Sequence, residues 1–253
     1  MVIKMHLYRF FLLCILALFS SMSNAQLVDV IKKIKPSVVA IGIYNPTASP
    51  RIQLVGTGFV ISPGNLVVTN YHVVSRGLDE SKMETYVVLS GSVQQVKQHQ
   101  ITSRRLAPEH DLALLSIDSQ LPAVTLSSQS ELASEGLEIA FTGYPITSVL
   151  GLYPATHRGI IAAHSPIIIP ADQASQLHAA ALRQLRQPYL IYQLDAVAYP
   201  GNSGSPLYNA ANGEVIGVIN QTYIKASKES VLSDPSGISY AIPAQYIQQL
   251  KSN

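Results

Sequence analysis

Pro200-Gly201-Asn202-Ser203-Gly204-Ser205-Pro206 sets one serine between two glycines, and the reading of this stretch decides the rest of the chain. A serine hydroxyl becomes a nucleophile only when a base removes its proton and donors hold the charge that develops on the attacked carbonyl. Gly201 has no side chain, so its N–H and that of Ser203 are free to converge on one point and form an oxyanion hole. The same Gly/Asn/Ser/Pro cluster between apolar runs also reads as a plain turn. The choice rests on whether the rest of the chain supplies a base and an orienting acid.

The candidate base is His72, in Thr69-Asn70-Tyr71-His72-Val73-Val74, directly after the apolar run Leu66-Val67-Val68. A histidine at the end of a buried strand presents its imidazole to a cleft, and an ordinary pKa near 6.5 suits a general base. Its bland reading is a structural histidine. His99, His110, His157, His164 and His178 stand in polar or irregular contexts and are expected at the surface. None of these pairs has metal-site spacing, so we expect neither metal nor cofactor. The candidate acid is Asp111, which leads straight into the apolar Leu112-Ala113-Leu114-Leu115. A carboxylate held there is partly buried and needs a donor, for which the His72 ring is suited. Asp111 as a turn cap, Asp118 and Asp195 are the competing readings, with Asp195 expected to tie down the serine loop.

The chain has 253 residues, 47% hydrophobic and 13% charged, as expected of a packed globular protein. Lys4 and Arg9 precede an apolar run from Phe10 to Phe19, and Ser23-Asn24-Ala25 offers small residues for a signal peptidase, so residues 1–25 read as a cleaved leader. The competing transmembrane anchor would need about 20 apolar residues. Loss of the leader removes both cations and the single cysteine, Cys14, and takes the formal charge from +2 to 2 − 2 = 0. That excludes an electrostatic case for nucleic acid or an anionic membrane.

Most of the remaining chain is strand-like. Short β-branched runs at 37–44, 56–61, 65–69, 85–90 and 111–117 are followed by a polar bridge at 121–135. A second set lies at 137–142, 156–163, 189–194, 206–209, 214–220 and 239–242. So many short strands imply a barrel or a sandwich. Helical spacing appears at 27–35, ended by Pro36, at 171–186, ended by Pro188, and at 243–251.

The order His72, Asp111, Ser203 resembles the chymotrypsin-like proteases, in which these residue types act as base, orienting acid and nucleophile. More narrowly, the chain resembles the protease domain of the HtrA/Deg family. The resembling segments include Gly56-Thr57-Gly58-Phe59-Val60-Ile61, Thr69 to Val74, Asp111 to Leu114, Gly143-Tyr144-Pro145, Arg158-Gly159-Ile160-Ile161, Pro200 to Gly204, Val215 to Val218 and Tyr240 to Pro243. The resemblance implies an all-β protein of two six-stranded antiparallel barrels with an inserted helix and a C-terminal helix. An N-terminal barrel at 26–125 would carry His72 and Asp111, and a C-terminal barrel at 126–253 would carry Ser203. It further implies an oxyanion hole from Gly201 and Ser203, and a substrate pocket lined by Val197, Ala198, Asn220, Gln221 and Thr222.

The chain also departs from the family. Ser205 replaces a usual second glycine and is reminiscent of the related glutamyl endopeptidases, but Asn220 stands near where those use a pocket histidine. Asn202 replaces the aspartate that pairs with a new N-terminus in trypsin-like zymogens. With the sequence ending soon after Pro243, no PDZ domain is expected. The uncharged pocket implies small or medium apolar side chains before the scissile bond. The expected protein is thus an exported serine endopeptidase, periplasmic or secreted, acting on polypeptides, including unfolded ones. The alternative is an inactive homologue that binds proteins through its cleft or the 171–186 helix.

Overall fold

In the computed structural model, residues 26–91, 95–146, 151–166, 189–220 and 237–252 are described. The leader, the helix expected at 171–186, His178, Gln221 and Thr222 lie outside them. Twelve strands close two six-stranded barrels. The first contains β1 (Val38–Tyr44), β2 (Ile52–Ile61), β3 (Leu66–Asn70), β4 (Thr85–Ser90), β5 (Lys97–Ala107) and β6 (Leu112–Ile117), in the order β1-β2-β3-β6-β5-β4. The second contains β7 (Glu138–Gly143), β8 (Ala155–Pro166), β9 (Leu190–Asp195), β10 (Pro206–Asn209), β11 (Val215–Asn220) and β12 (Ile238–Pro243), in the order β10-β11-β12-β9-β8-β7. All named strand pairs are antiparallel. This is the chymotrypsin-like architecture.

Strands β1, β3, β4, β6, β7 and β11 read as near-continuous apolar runs because both of their faces are buried. Val39, Ile41, Val67 and Leu115 fill the first barrel, whereas Val38, Ala40, Val68 and Leu114 turn outward into a core shared with the second. Successive side chains alternate between the two, as the pleat requires. The shared core also takes Tyr144, Tyr208, Val218 and Ile242 from the second barrel, whose own interior holds Ile139, Phe141, Leu194 and Leu207. Burial pushes the Tyr144 phenol up to about 12. Strand β5 carries no apolar period: of its eleven residues only His99 and Ala107 are buried.

The polar bridge pairs with both barrels. Val124 N–H donates to Val60 O at 2.9 Å, and Ser127 N–H donates to Val215 O at 2.8 Å. Helical residues 26–34 (α1) bury Val30 and Ile34 in the shared core before Pro36 turns the chain into β1. A second helix, α2 (Gln245–Ser252), leaves the second barrel and crosses β5 and β6 of the first. Ile247 and Leu250 are buried, and Arg105 Nη1 donates to Lys251 O at 2.9 Å at the helix's negative end. Pro243, expected to open this helix, instead closes β12, because its carbonyl edge remains in the sheet opposite Gly217.

The histidines correct the expectation that all but His72 lie at the surface. His99 is 5% exposed and sits between the Ser90 and Ser119 hydroxyls at 2.7 and 2.9 Å. His110 stacks on Tyr246, and His157 stacks on Phe141. Hydroxyl and aromatic partners make these sites habitable for a neutral imidazole. Burial holds all three below the ordinary value of 6.5. In the unfolded chain they protonate near 6.5, so below that pH the unfolded state binds more protons and stability falls with falling pH. The melting temperature is therefore expected to drop between pH 7 and pH 5, above the carboxylate range. A flat or rising profile over that interval would contradict these burials.

Candidate active site

Strand β3 ends at Asn70, and the chain turns at Tyr71 and His72 with Val73 and Val74 buried as anchors. Asp111 caps the short 3-10 turn Pro108–His110 in left-handed backbone, φ 49°. Its carbonyl accepts from Tyr71 N–H at 3.0 Å and from Asn70 Nδ2 at 3.1 Å. Its carboxylate is thereby aimed at the next residue. Oδ1 accepts from the His72 backbone N–H at 2.8 Å, and Oδ2 meets His72 Nδ1 at 2.7 Å. An ionised carboxylate only accepts, so the ring proton sits on Nδ1 and the lone pair is left on Nε2. The His72 side chain is 30% exposed and that of Asp111 13% exposed.

Asn220, expected in a pocket wall, is fully buried, and its Nδ2 donates to Asp111 Oδ2 at 2.7 Å. Its position as the last residue of β11 brings the second barrel's amide onto the first barrel's acid. This contact adds a third donor to the carboxylate, and no local pattern in Val218-Ile219-Asn220 marks it. The competing acids are elsewhere. Asp118 is exposed and accepts from Gln100 N–H and the Ser119 hydroxyl, while Asp195 is an exposed residue at the end of β9.

Ser203 is 6% exposed and lies in a loop held from both barrels. Thr57 N–H donates to Ser203 O at 2.9 Å, and the Thr57 hydroxyl donates to Gly201 O at 2.7 Å. Gly204 N–H reaches Ile219 O at 3.0 Å, and Ile146 N–H reaches Pro200 O at 2.6 Å. Gly201 has φ 100° and Gly204 φ 88°, and a Cβ at either would strike a backbone carbonyl, of Tyr144 or of Thr57. Only glycine fits both places. Beside this loop, an added Cβ at Gly56 would meet the Val73 side chain at 2.8 Å and Ser203 O at 3.2 Å, so the His72 turn and the Ser203 loop flank one point.

The peptide planes fix where the loop's amides point. In a trans peptide the N–H lies opposite the C=O. Pro200 O is held by Ile146 and Asn202 O by Ser205 N–H at 3.0 Å, so the Gly201 and Ser203 N–H groups face the other way. Neither donates to an acceptor among the described residues. Asn202 is fully buried, its Nδ2 3.4 Å from His157 Nε2. Of the expected pocket residues, Val197 is half-buried and Ala198 is buried, its N–H bonded to Ser239 Oγ at 2.9 Å. Among the described residues no three His, Cys, Asp or Glu side chains are grouped to hold a metal ion.

Two closed barrels with a histidine–carboxylate pair on one and a glycine-bounded serine loop on the other define the trypsin-like class of fold. Residues 56–218 match the family model of the trypsin-like peptidase domain, and the chain belongs to that family. It is 30% identical over 230 residues to the serine protease HTRA1A of Danio rerio, covering 87% of this chain and 40% of that protein. It is 32% identical over 190 residues to a probable periplasmic DegP-like serine endoprotease of Chlamydia pneumoniae, covering 75% of this chain and 32% of that one. The chain thus spans well under half the length of these relatives. Among solved structures, the active form of the Rv3671c protease of M. tuberculosis superposes with a TM-score of 0.63 at 24% identity, covering 88% of this chain and 82% of that one. Deg5 superposes with 0.62 at 23%, covering 90% and 93%.

Proposed function

We propose that this chain is an exported serine endopeptidase that hydrolyses polypeptides through an acyl-enzyme, with His72, Asp111 and Ser203 as its triad. The observation that carries the reading is the His72 Nδ1 contact to Asp111 at 2.7 Å, across the interface from a serine loop whose Gly201 and Ser203 amides have no acceptor among the described residues. Ser203 Oγ attacks the scissile carbonyl as His72 Nε2 takes its proton. The two amides hold the oxyanion, and Asp111 steadies the imidazolium. His72 then protonates the leaving amine, and a water activated by the same ring releases the acid. Residues 1–25 serve as the export leader. The uncharged Val197–Ala198 wall favours small or medium apolar side chains, and unfolded or envelope proteins are the substrate class.

The test is a fluorophosphonate probe, with the adduct located by peptide mapping. Label on the peptide that contains Ser203, with casein cut faster than a folded protein, is the expected result. A folded protein that takes no label would instead be a binding homologue. A second expectation follows from Asn220. Hydrogen bonds to charged groups contribute about 1.5–3 kcal/mol, so Asn220→Ala is expected to lower kcat by about tenfold through loosened Asp111, with little change in KM. An unchanged kcat would remove Asn220 from the site.

A further inference from the structure

One hydroxyl ties three segments together beneath the serine loop. Thr57 Oγ donates to Gly201 O at 2.7 Å and accepts from Tyr144 N–H at 3.0 Å. The Thr57 backbone N–H holds Ser203 O at 2.9 Å, and its carbonyl accepts from Thr69 Oγ1 at 2.7 Å. Thr57 is itself fully buried in β2. A strand residue of the first barrel therefore grips the second barrel's loop at the carbonyls of Gly201 and Ser203.

We propose that Thr57 is a positioning residue for peptide hydrolysis, its hydroxyl fixing the Gly201–Asn202 peptide and with it the direction of the oxyanion amides. The inference rests on the serine-peptidase reading above. The hydroxyl has a single proton, and Tyr144 N–H, itself a donor, can meet only a lone pair, so the proton is directed at Gly201 O. The other end of that peptide, Asn202 N–H, is held by Tyr199 O at 2.9 Å. With both ends held, rotation of the plane must break a bond at each. Rotation would also swing the neighbouring Gly201 N–H, since the two planes share one Cα and Gly201 offers no side chain to resist. Valine has the shape of threonine and the same β preference, but neither donates nor accepts at this point. Serine keeps the hydroxyl, and cysteine places a weaker donor there.

The experiment compares Thr57→Ser, Thr57→Cys and Thr57→Val in the purified protein by fluorophosphonate labelling rate, by kcat and KM on a peptide substrate, and by amide-resolved hydrogen exchange. Small misplacement of catalytic groups costs about 100-fold, so Thr57→Val is expected to lose about that much in labelling rate and kcat with KM little changed. Thr57→Ser should stay near wild type, and Thr57→Cys should fall between. In Thr57→Val the Asn202 amide should exchange faster while the amides of β1 and β3 keep their protection. Should valine fail to fold, the Ser–Cys difference decides alone. Equal labelling across the series, equal loss in Ser and Val, or unchanged exchange at Asn202 would overturn the inference. If wild type takes no label, the peptidase reading fails, and the exchange series still decides whether Thr57 holds the loop.

Discussion

Ser203→Ala is expected to lower peptide hydrolysis by about 10⁶-fold, the scale seen when a nucleophile of this type is removed, and to abolish fluorophosphonate labelling. The substitution deletes one oxygen. It leaves the Ser203 carbonyl on Thr57 N–H, the Gly204 N–H on Ile219 O and the left-handed glycines in place, so the loop and the fold should persist. Residual rate would come from the oxyanion amides and substrate binding alone. Ser205 is not a substitute nucleophile, since it is fully buried and its Oγ lies against Gly143, inside the second barrel's wall. An unchanged melting temperature with lost turnover is the expected pairing. Persistent labelling of a folded Ser203→Ala protein would move the nucleophile elsewhere and undo the site.

The strands that the sequence makes legible are those with two buried faces. Thr85 to Ser90 and Pro206 to Asn209 match their strands residue for residue, because Tyr86-Val87-Val88-Leu89 and Leu207-Tyr208 are apolar on both sides. Strand β5 is not legible. Lys97, Gln98, Gln100 and the run Thr102-Ser103-Arg104-Arg105 face solvent, and the strand exists through its backbone ladder to β4 and β6. Barrel closure supplies its partners, and no side-chain period records that. The site divides in the same way. His72, Asp111 and Ser203, the proposed triad, stand out through local context, at strand ends or between glycines. Asn220 and Thr57 act across the interface between barrels, so the residues beside them in sequence carry no mark of what they touch. His99, His110 and His157 are misread from polar neighbours for a related reason: their burial comes from Ser119, Tyr246 and Phe141, each distant in the chain.

Asp111→Asn is expected to fold normally and to lose about 10⁴-fold in kcat, the cost of the same change in the chymotrypsin template. The backbone accepts the change, since asparagine tolerates the left-handed φ of 49° better than most residues. The hydrogen bonds do not. Three N–H groups converge on the carboxylate: His72 N at 2.8 Å, His72 Nδ1 at 2.7 Å and Asn220 Nδ2 at 2.7 Å. An amide offers one acceptor oxygen and one NH₂, so wherever the oxygen turns, the NH₂ faces at least one donor. If the oxygen stays on His72 N–H, the NH₂ faces both the ring and Asn220. The ring then relieves the clash by accepting at Nδ1 and carrying its proton on Nε2, which leaves no lone pair for Ser203. The chemical signature is a ring proton shifted from Nδ1 to Nε2, readable by ¹⁵N NMR of His72, together with an intact fold and slow labelling. Nearly full activity in a folded Asp111→Asn protein with the Nδ1 proton retained would show that the carboxylate's charge and its acceptors are both dispensable, which the three converging donors argue against.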